Sequence, residues 1–278
     1  MTSSIYPLLI VFIILASFLN SFLLLTLMDY VNSFKASKGN INFFQILRLN
    51  LKKLSNSLIN QKRILNFGEF FSRLVIYIVS IFLIVEMILG NEEIEKYGVM
   101  LLFFFNILGK GVEYFYADRN INLTKYLNTS ITCLIFFTIT YGLSTIVLDN
   151  VEEIGFSIVV MKLFVFLNIV VIVYITEFLL KKLKSSKNIV DEIYSKVLFY
   201  FLMISIFVYL NSFSSTDKSI LKFFYYTMSI LLIEFMSAYV RKNIGKINDI
   251  QINNYIYRYW LVFVLFCFLG IIGGQYVL

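Results

Sequence analysis

Residues 5–27 run from Ile5 to Leu27 without a charged side chain, and the only proline, Pro7, stands near their start. In an α-helix such a stretch rises about 1.5 Å per residue and crosses roughly 30 Å, the thickness of a bilayer's hydrocarbon core. Further apolar runs follow at about 70–89, 98–116, 126–148, 155–180, 198–213, 220–240 and 258–277, the sixth of the eight being the shortest. Hydrophobic residues make up 59% of the 278 and charged residues 15%, where a soluble domain carries about 25% charged. A water-soluble chain of this size buries about three quarters of its surface, too little to hide this much apolar area. One proline and twelve glycines leave few turns, whereas a membrane barrel needs strands of about ten residues with alternating polarity. The expectation is an all-α integral membrane protein of about eight transmembrane helices, forming a single polytopic domain over 1–278. The first run has no basic flank before it and no small-residue cleavage site, so it reads as a retained helix rather than a signal peptide.

Charge orients the runs. Twenty of the 24 basic residues fall in the segments after odd-numbered runs: Lys35 to Arg73, Lys110 to Lys125, Lys181 to Lys196, and Arg241 to Arg258. The alternate segments hold Lys96, Lys218 and Lys222 among acids such as Glu92, Glu93, Glu152 and Asp217. The positive-inside rule then expects both termini outside and the four basic segments in the cytoplasm. The net charge of +7 is explained by these membrane edges and by anionic headgroups, without a nucleic acid. Histidine is absent, which excludes a bis-histidine haem and an ordinary histidine acid–base site. Cys133 and Cys267 fall inside separate runs and suggest neither a disulfide nor a metal site. Gly273-Gly274 marks a helix end, not a phosphate loop.

Two basic segments carry further pattern. In residues 41–55, Ile41, Phe44, Ile46, Leu47, Leu51 and Leu54 can share a helical face, with Arg48, Lys52 and Lys53 opposite. That predicts an amphipathic helix along the cytoplasmic interface, serving as an anchor or as a docking surface for a partner. Residues 181–196 read as a solvated basic connection containing Asp191 and Glu192.

Ionisable groups within spans are costly and raise a functional hypothesis by default. Glu86 stands near the outer end of the second run, Glu113 and Glu177 near the inner ends of the third and fifth, and Glu234 in the inner half of the seventh. Asp29 ends the first run. Glu86 and Asp29 read as snorkelling or paired groups. Glu113, Glu177 and Glu234 are candidates for proton movement or coupling, with Arg241 close enough in sequence to tune Glu234.

The stretch Glu234-Phe235-Met236-Ser237-Ala238-Tyr239-Val240-Arg241, followed by Tyr257-Arg258-Tyr259-Trp260, resembles the C-terminal part of a known membrane subunit family. The family is subunit 1 (H-type) of respiratory complex I, and more closely the membrane anchor subunits of energy-converting and formate-hydrogenlyase-type [NiFe] hydrogenases. Glu234, Ala238, Arg241, Arg258 and Trp260 match its pattern, while Tyr239 replaces the usual base. The layout is similar too: eight spans, an outside N-terminus, an amphipathic helix in the first loop, and a glutamate, here Glu177, ending the fifth span. The chain departs from the family in the first loop, where only Lys38-Gly39 and Gln45 correspond. It departs again at Leu127-Asn128-Thr129-Ser130, where the family has an acidic motif, and after the fifth run, which lacks Pro-Phe-Asp.

The resemblance implies a proximal membrane subunit of a redox-driven ion-pumping complex in a prokaryotic inner membrane. Such a subunit has no active site of its own. It anchors a peripheral electron-transfer arm, here through Arg48, Lys52, Lys53, Lys181 and Lys182, and couples it to antiporter-like membrane subunits. It binds no cofactor; Fe–S clusters and a [NiFe] centre belong to partner subunits. Glu234, Glu177, Glu113 and Arg241 would form its proton path or coupling site. The alternatives are a stand-alone multi-pass transporter, which calls for inverted repeats, and an integral membrane lipid-modifying enzyme, which calls for clustered acids holding Mg²⁺.

Overall fold

The proline-free apolar runs form continuous helices in the computed structural model, which describes residues 5–36, 42–59, 67–117, 123–154, 158–183 and 189–211, with Arg258, Val262 and Leu265. The helices are α1 (Ile5–Ala36), α2 (Phe43–Ile59), α3 (Phe67–Ile88), α4 (Glu92–Ala117), α5 (Leu123–Ile154), α6 (Ile158–Leu183) and α7 (Ile189–Asn211). Stretches Leu9–Leu27, Phe67–Ile88, Glu93–Tyr116, Leu123–Ile146 and Ile189–Leu210 are long and apolar enough to cross a bilayer.

The expected eight spans with one separate interfacial helix are thereby corrected, while the expectation of both termini outside falls on residues outside the described ones. Among the described residues there are seven helices, five of them long and apolar enough to span. Run 220–240 lies outside the described residues, as do both termini and all but three positions of 258–277. α6 is a continuous helix over Ile158–Leu183, within which Val165–Glu177 is apolar. The sixth run errs the other way, because its helix begins at Ile189 and not at 198. The first two turns of α7 are therefore helical and partly buried, not a solvated connection: Ile189, Asp191, Ile193, Ser195 and Lys196 are all buried. The predicted amphipathic helix is α2, but it is not free-standing. Ile46 and Asn50 are buried, and the Asn50 side-chain amide donates to the Asp29 carboxylate of α1 at 3.0 Å.

The distribution of polarity is that of a protein in lipid. On α5 the buried face carries Ser130, Cys133, Thr140 and Ser144, while Leu127, Ile131, Ile135 and Ile139 are exposed. Water would favour the reverse, whereas in a bilayer small polar residues let helices approach and apolar ones face the acyl chains. The chain is a multi-pass, all-α integral membrane protein.

The chain gathers into two compact units, one of Met1–Ile121 with Ser185–Gly245, the other of Asn122–Lys184 with Lys246–Leu278. In the second unit α5 packs on α6. Buried residues recur on α5 as Tyr126, Ser130, Cys133 and Phe137 and on α6 as Val165, Ile169, Val173 and Thr176, the three-and-four spacing of a helical seam. In the first unit α7 touches α1, α2, α3 and α4. It is the central helix: 83% of its span is buried, against 33–53% for the other four. Asn20 of α1 donates its side-chain amide to the Tyr200 hydroxyl of α7 at 3.1 Å. Tyr77 of α3 meets Phe201 of α7 with ring centroids 5.8 Å apart.

The α3–α4 turn follows from one glycine. Gly90 has φ +83°, the left-handed conformation that closes a helix C-terminus. Its amide donates to the Met87 carbonyl at 3.2 Å and the next amide, of Asn91, to the Glu86 carbonyl at 3.2 Å, so two otherwise orphaned carbonyls are satisfied. A Cβ at Gly90 would meet nothing within 4 Å, so only backbone strain opposes a side chain there. Gly90→Ala is expected to cost about 1–2 kcal/mol, and Gly90→Asn less, in unfolding measured in detergent micelles.

Candidate functional site

Glu69 and Arg73 stand four residues apart at the start of α3, so they share a face. Glutamate in the first turn also complements the helix dipole. Arg73 Nη2 donates to Glu69 Oε1 at 2.5 Å, and Nη1 donates to Asp191 Oδ1 of α7 at 2.7 Å. Asp191 occupies the first turn of its own helix. Tyr194, one turn further on, places its ring 5.3 Å from the guanidinium carbon. Its hydroxyl donates to the Arg73 carbonyl at 3.1 Å. Thus one arginine is held by a carboxylate of its own helix and by a carboxylate, a ring and a hydroxyl of α7.

The cluster is buried: side-chain exposure is 11% for Arg73, 6% for Glu69 and 7% for Asp191. The planar guanidinium suits this role because its fork can serve two carboxylates at once, and it keeps its charge when buried. α4 closes the third side at Gly109, where a Cβ would overlap Leu198 and lie 3.4 Å from the Tyr194 ring. Lys196 is also buried, with its ammonium 4.8 Å from the Phe199 ring centroid. Five residues beyond Asp191, it points about 140° away round the helix. Two acids sharing one fixed cation give a site whose charge can be altered by one proton or by exchange of a carboxylate.

The residues expected to carry protons are placed differently. Glu177 is buried on α6 beside buried Thr176, in the second unit. Glu113 lies on α4, in the first unit; its side chain, like Glu234 and Arg241, falls outside the described residues. Arg258 is exposed. Glu86 accepts from the Asn91 side chain at 3.4 Å, and Asp29 is engaged by Asn50. Among the docking candidates, Arg48, Lys52 and Lys53 are brought together, all exposed on α2. Lys181 and Lys182 end α6, with side chains outside the described residues. Cys133 is buried, and Cys267 is outside the described residues.

Glu69, Arg73 and Asp191 were not singled out by sequence, for a physical reason. Arg73 reads as one more basic residue of the first loop, and Asp191 as part of a wet connection. The signal that would have found them is local: Glu and Arg four apart at the head of an apolar run, and an Asp-Glu pair where helix starts favour acids. Among the described residues no group of three His, Cys, Asp or Glu side chains is placed to hold a metal ion. Comparisons with protein-family models, with curated proteins and with solved structures find nothing that matches this chain.

Proposed function

We propose that this chain is an ion-translocating membrane subunit of a complex I-related, redox-driven assembly of the membrane-bound hydrogenase type. The observation that carries the translocating role is the buried Glu69–Arg73–Asp191 cluster in two membrane-spanning helices. Charges are kept at such positions at a cost, and in membrane proteins they mark ion and proton routes. Glu177, Glu113, Glu234 and Arg241 are the further stations of this reading. The resemblance at residues 234–260 supports the assembly, and the exposed Arg48, Lys52 and Lys53 of α2 supply a basic surface for a peripheral arm. Redox chemistry belongs to the partners' Fe–S and [NiFe] centres, and this chain contributes anchoring and coupling.

A stand-alone ion-coupled transporter is the second reading. It is favoured by the placement of Glu69, Arg73 and Asp191 within one compact unit. Purification of the full chain in mild detergent separates the two. Stoichiometric recovery with Fe–S proteins and large antiporter-like subunits is the expected result. Recovery of the chain alone or as a homo-oligomer contradicts the assembly and leaves the transporter.

A further inference from the structure

We infer that α2 carries an anionic-phospholipid site on one flank, with Phe44 and Leu51 among the acyl chains and Arg48 and Lys52 on the headgroup phosphate. The height of α2 is set by its contacts with α1. The apolar stretch of α1 ends at Leu27, and two residues further on the Asp29 carboxylate accepts from Asn50 of α2. The next ring of α1, Tyr30, meets the Phe43 ring with centroids 5.7 Å apart. α2 is therefore fastened where α1 leaves the hydrocarbon, at the level of the headgroups.

The rest follows from helical register, at about 100° per residue. Ile46 and Asn50 are buried and mark the face against the bundle. Phe44 and Leu51, about 20° apart, border that face on one side, and they are 71% and 51% exposed. Lys53 stands about 180° from Phe44 and borders the buried face on the other side, beside Ile46. Arg48 and Lys52, both exposed, follow Phe44 at about 40° and 80° on the side away from the bundle. The two flanks thus differ in kind. One offers bulky apolar groups with bases next to them, matching a leaflet in which acyl chains give way to phosphates. The other offers Lys53 with Leu49 about 40° away. α2 contains three bases and no acid, so the lipid it complements is anionic, and each base near such a surface raises binding about fivefold. Free phosphate would leave the apolar pair uncovered. The basic surface left to a peripheral arm narrows accordingly to the Lys53 flank.

Lipid on this flank does not depend on the assembly proposed above, so the two readings fail separately. Native mass spectrometry of the full chain in mild detergent, titrated with dioleoyl phosphatidylglycerol or dioleoyl phosphatidylcholine, tests it. The wild type should bind phosphatidylglycerol about tenfold more tightly than phosphatidylcholine. Arg48→Gln combined with Lys52→Gln should remove most of that preference, whereas Lys53→Gln should change it by less than about twofold. Phe44→Ser combined with Leu51→Ser should weaken both lipids several-fold and leave the preference in place. All five side chains are exposed, so loss of the fold does not confound the comparison. Equal binding of the two lipids by the wild type overturns the inference. So does a preference that survives the Arg48 and Lys52 substitutions, or one that is lost with Lys53→Gln alone.

Discussion

Arg73→Met should destabilise the protein by about 3–5 kcal/mol, among the largest effects of any single substitution in the first unit. The change removes the guanidinium shared by Glu69 and Asp191 and leaves two carboxylates in a buried setting. Little of that figure measures the strength of attraction. Most of it is the penalty for charge stranded away from water. It follows that neutralising all three positions together, as Glu69→Gln, Arg73→Met and Asp191→Asn, should recover most of the loss. Equilibrium unfolding in detergent micelles, with yield of monodisperse protein as a second readout, tests both statements. A single variant as stable as the wild type would mean that the cluster is open to water.

Tyr200→Ala is expected to cost about 3–5 kcal/mol, because it opens a cavity around the largest fully buried side chain among the described residues. Tyr200→Phe removes only the hydroxyl that accepts from Asn20, and should cost about 0.6 kcal/mol, the average for a hydrogen bond between membrane helices. The contrast identifies what holds α7 in the centre of its unit. In lipid the acyl chains are as apolar as leucine, so close packing of α7 against α1, α3 and α4 supplies the attraction, and the hydrogen bond fixes register. Equal effects of the two substitutions in the same unfolding assay would reverse that ranking.

Helices were legible in the sequence where polarity changes sharply along the chain. Expected runs 70–89, 98–116 and 126–148 became α3 (Phe67–Ile88), α4 (Glu92–Ala117) and α5 (Leu123–Ile154). The observed helices begin earlier, since their first turns carry charged residues such as Glu69, Glu93 and Lys125 that hydropathy excludes. The same effect hid the start of α7, whose first eight residues hold Asp191, Glu192 and Lys196. Asp191 and Lys196 are buried by neighbouring helices, and burial of this kind depends on tertiary packing. Amphipathic α2 was legible as a helix but not in its orientation. Phe44 and Leu51 are exposed while Asn50 is buried, because the Asp29 carboxylate claims the asparagine. The central ion pair joins residues 118 apart, a distance that no local period reports. Only its Glu69–Arg73 half has a spacing visible in one stretch of chain.

Charge movement through the buried Glu69–Arg73–Asp191 cluster is the central proposal for this chain. Asp191→Asn keeps the shape of the side chain and its place beside Arg73 while removing the carboxylate's charge. Sealed membrane vesicles carrying the chain with its native partners can be supplied in turn with NADH, formate and hydrogen, and proton uptake followed with a pH-sensitive dye. The prediction is that donor-driven uptake seen with the wild type is lost with Asp191→Asn, while the variant remains in the membrane at wild-type abundance. Undiminished uptake by that variant would contradict the proposal directly.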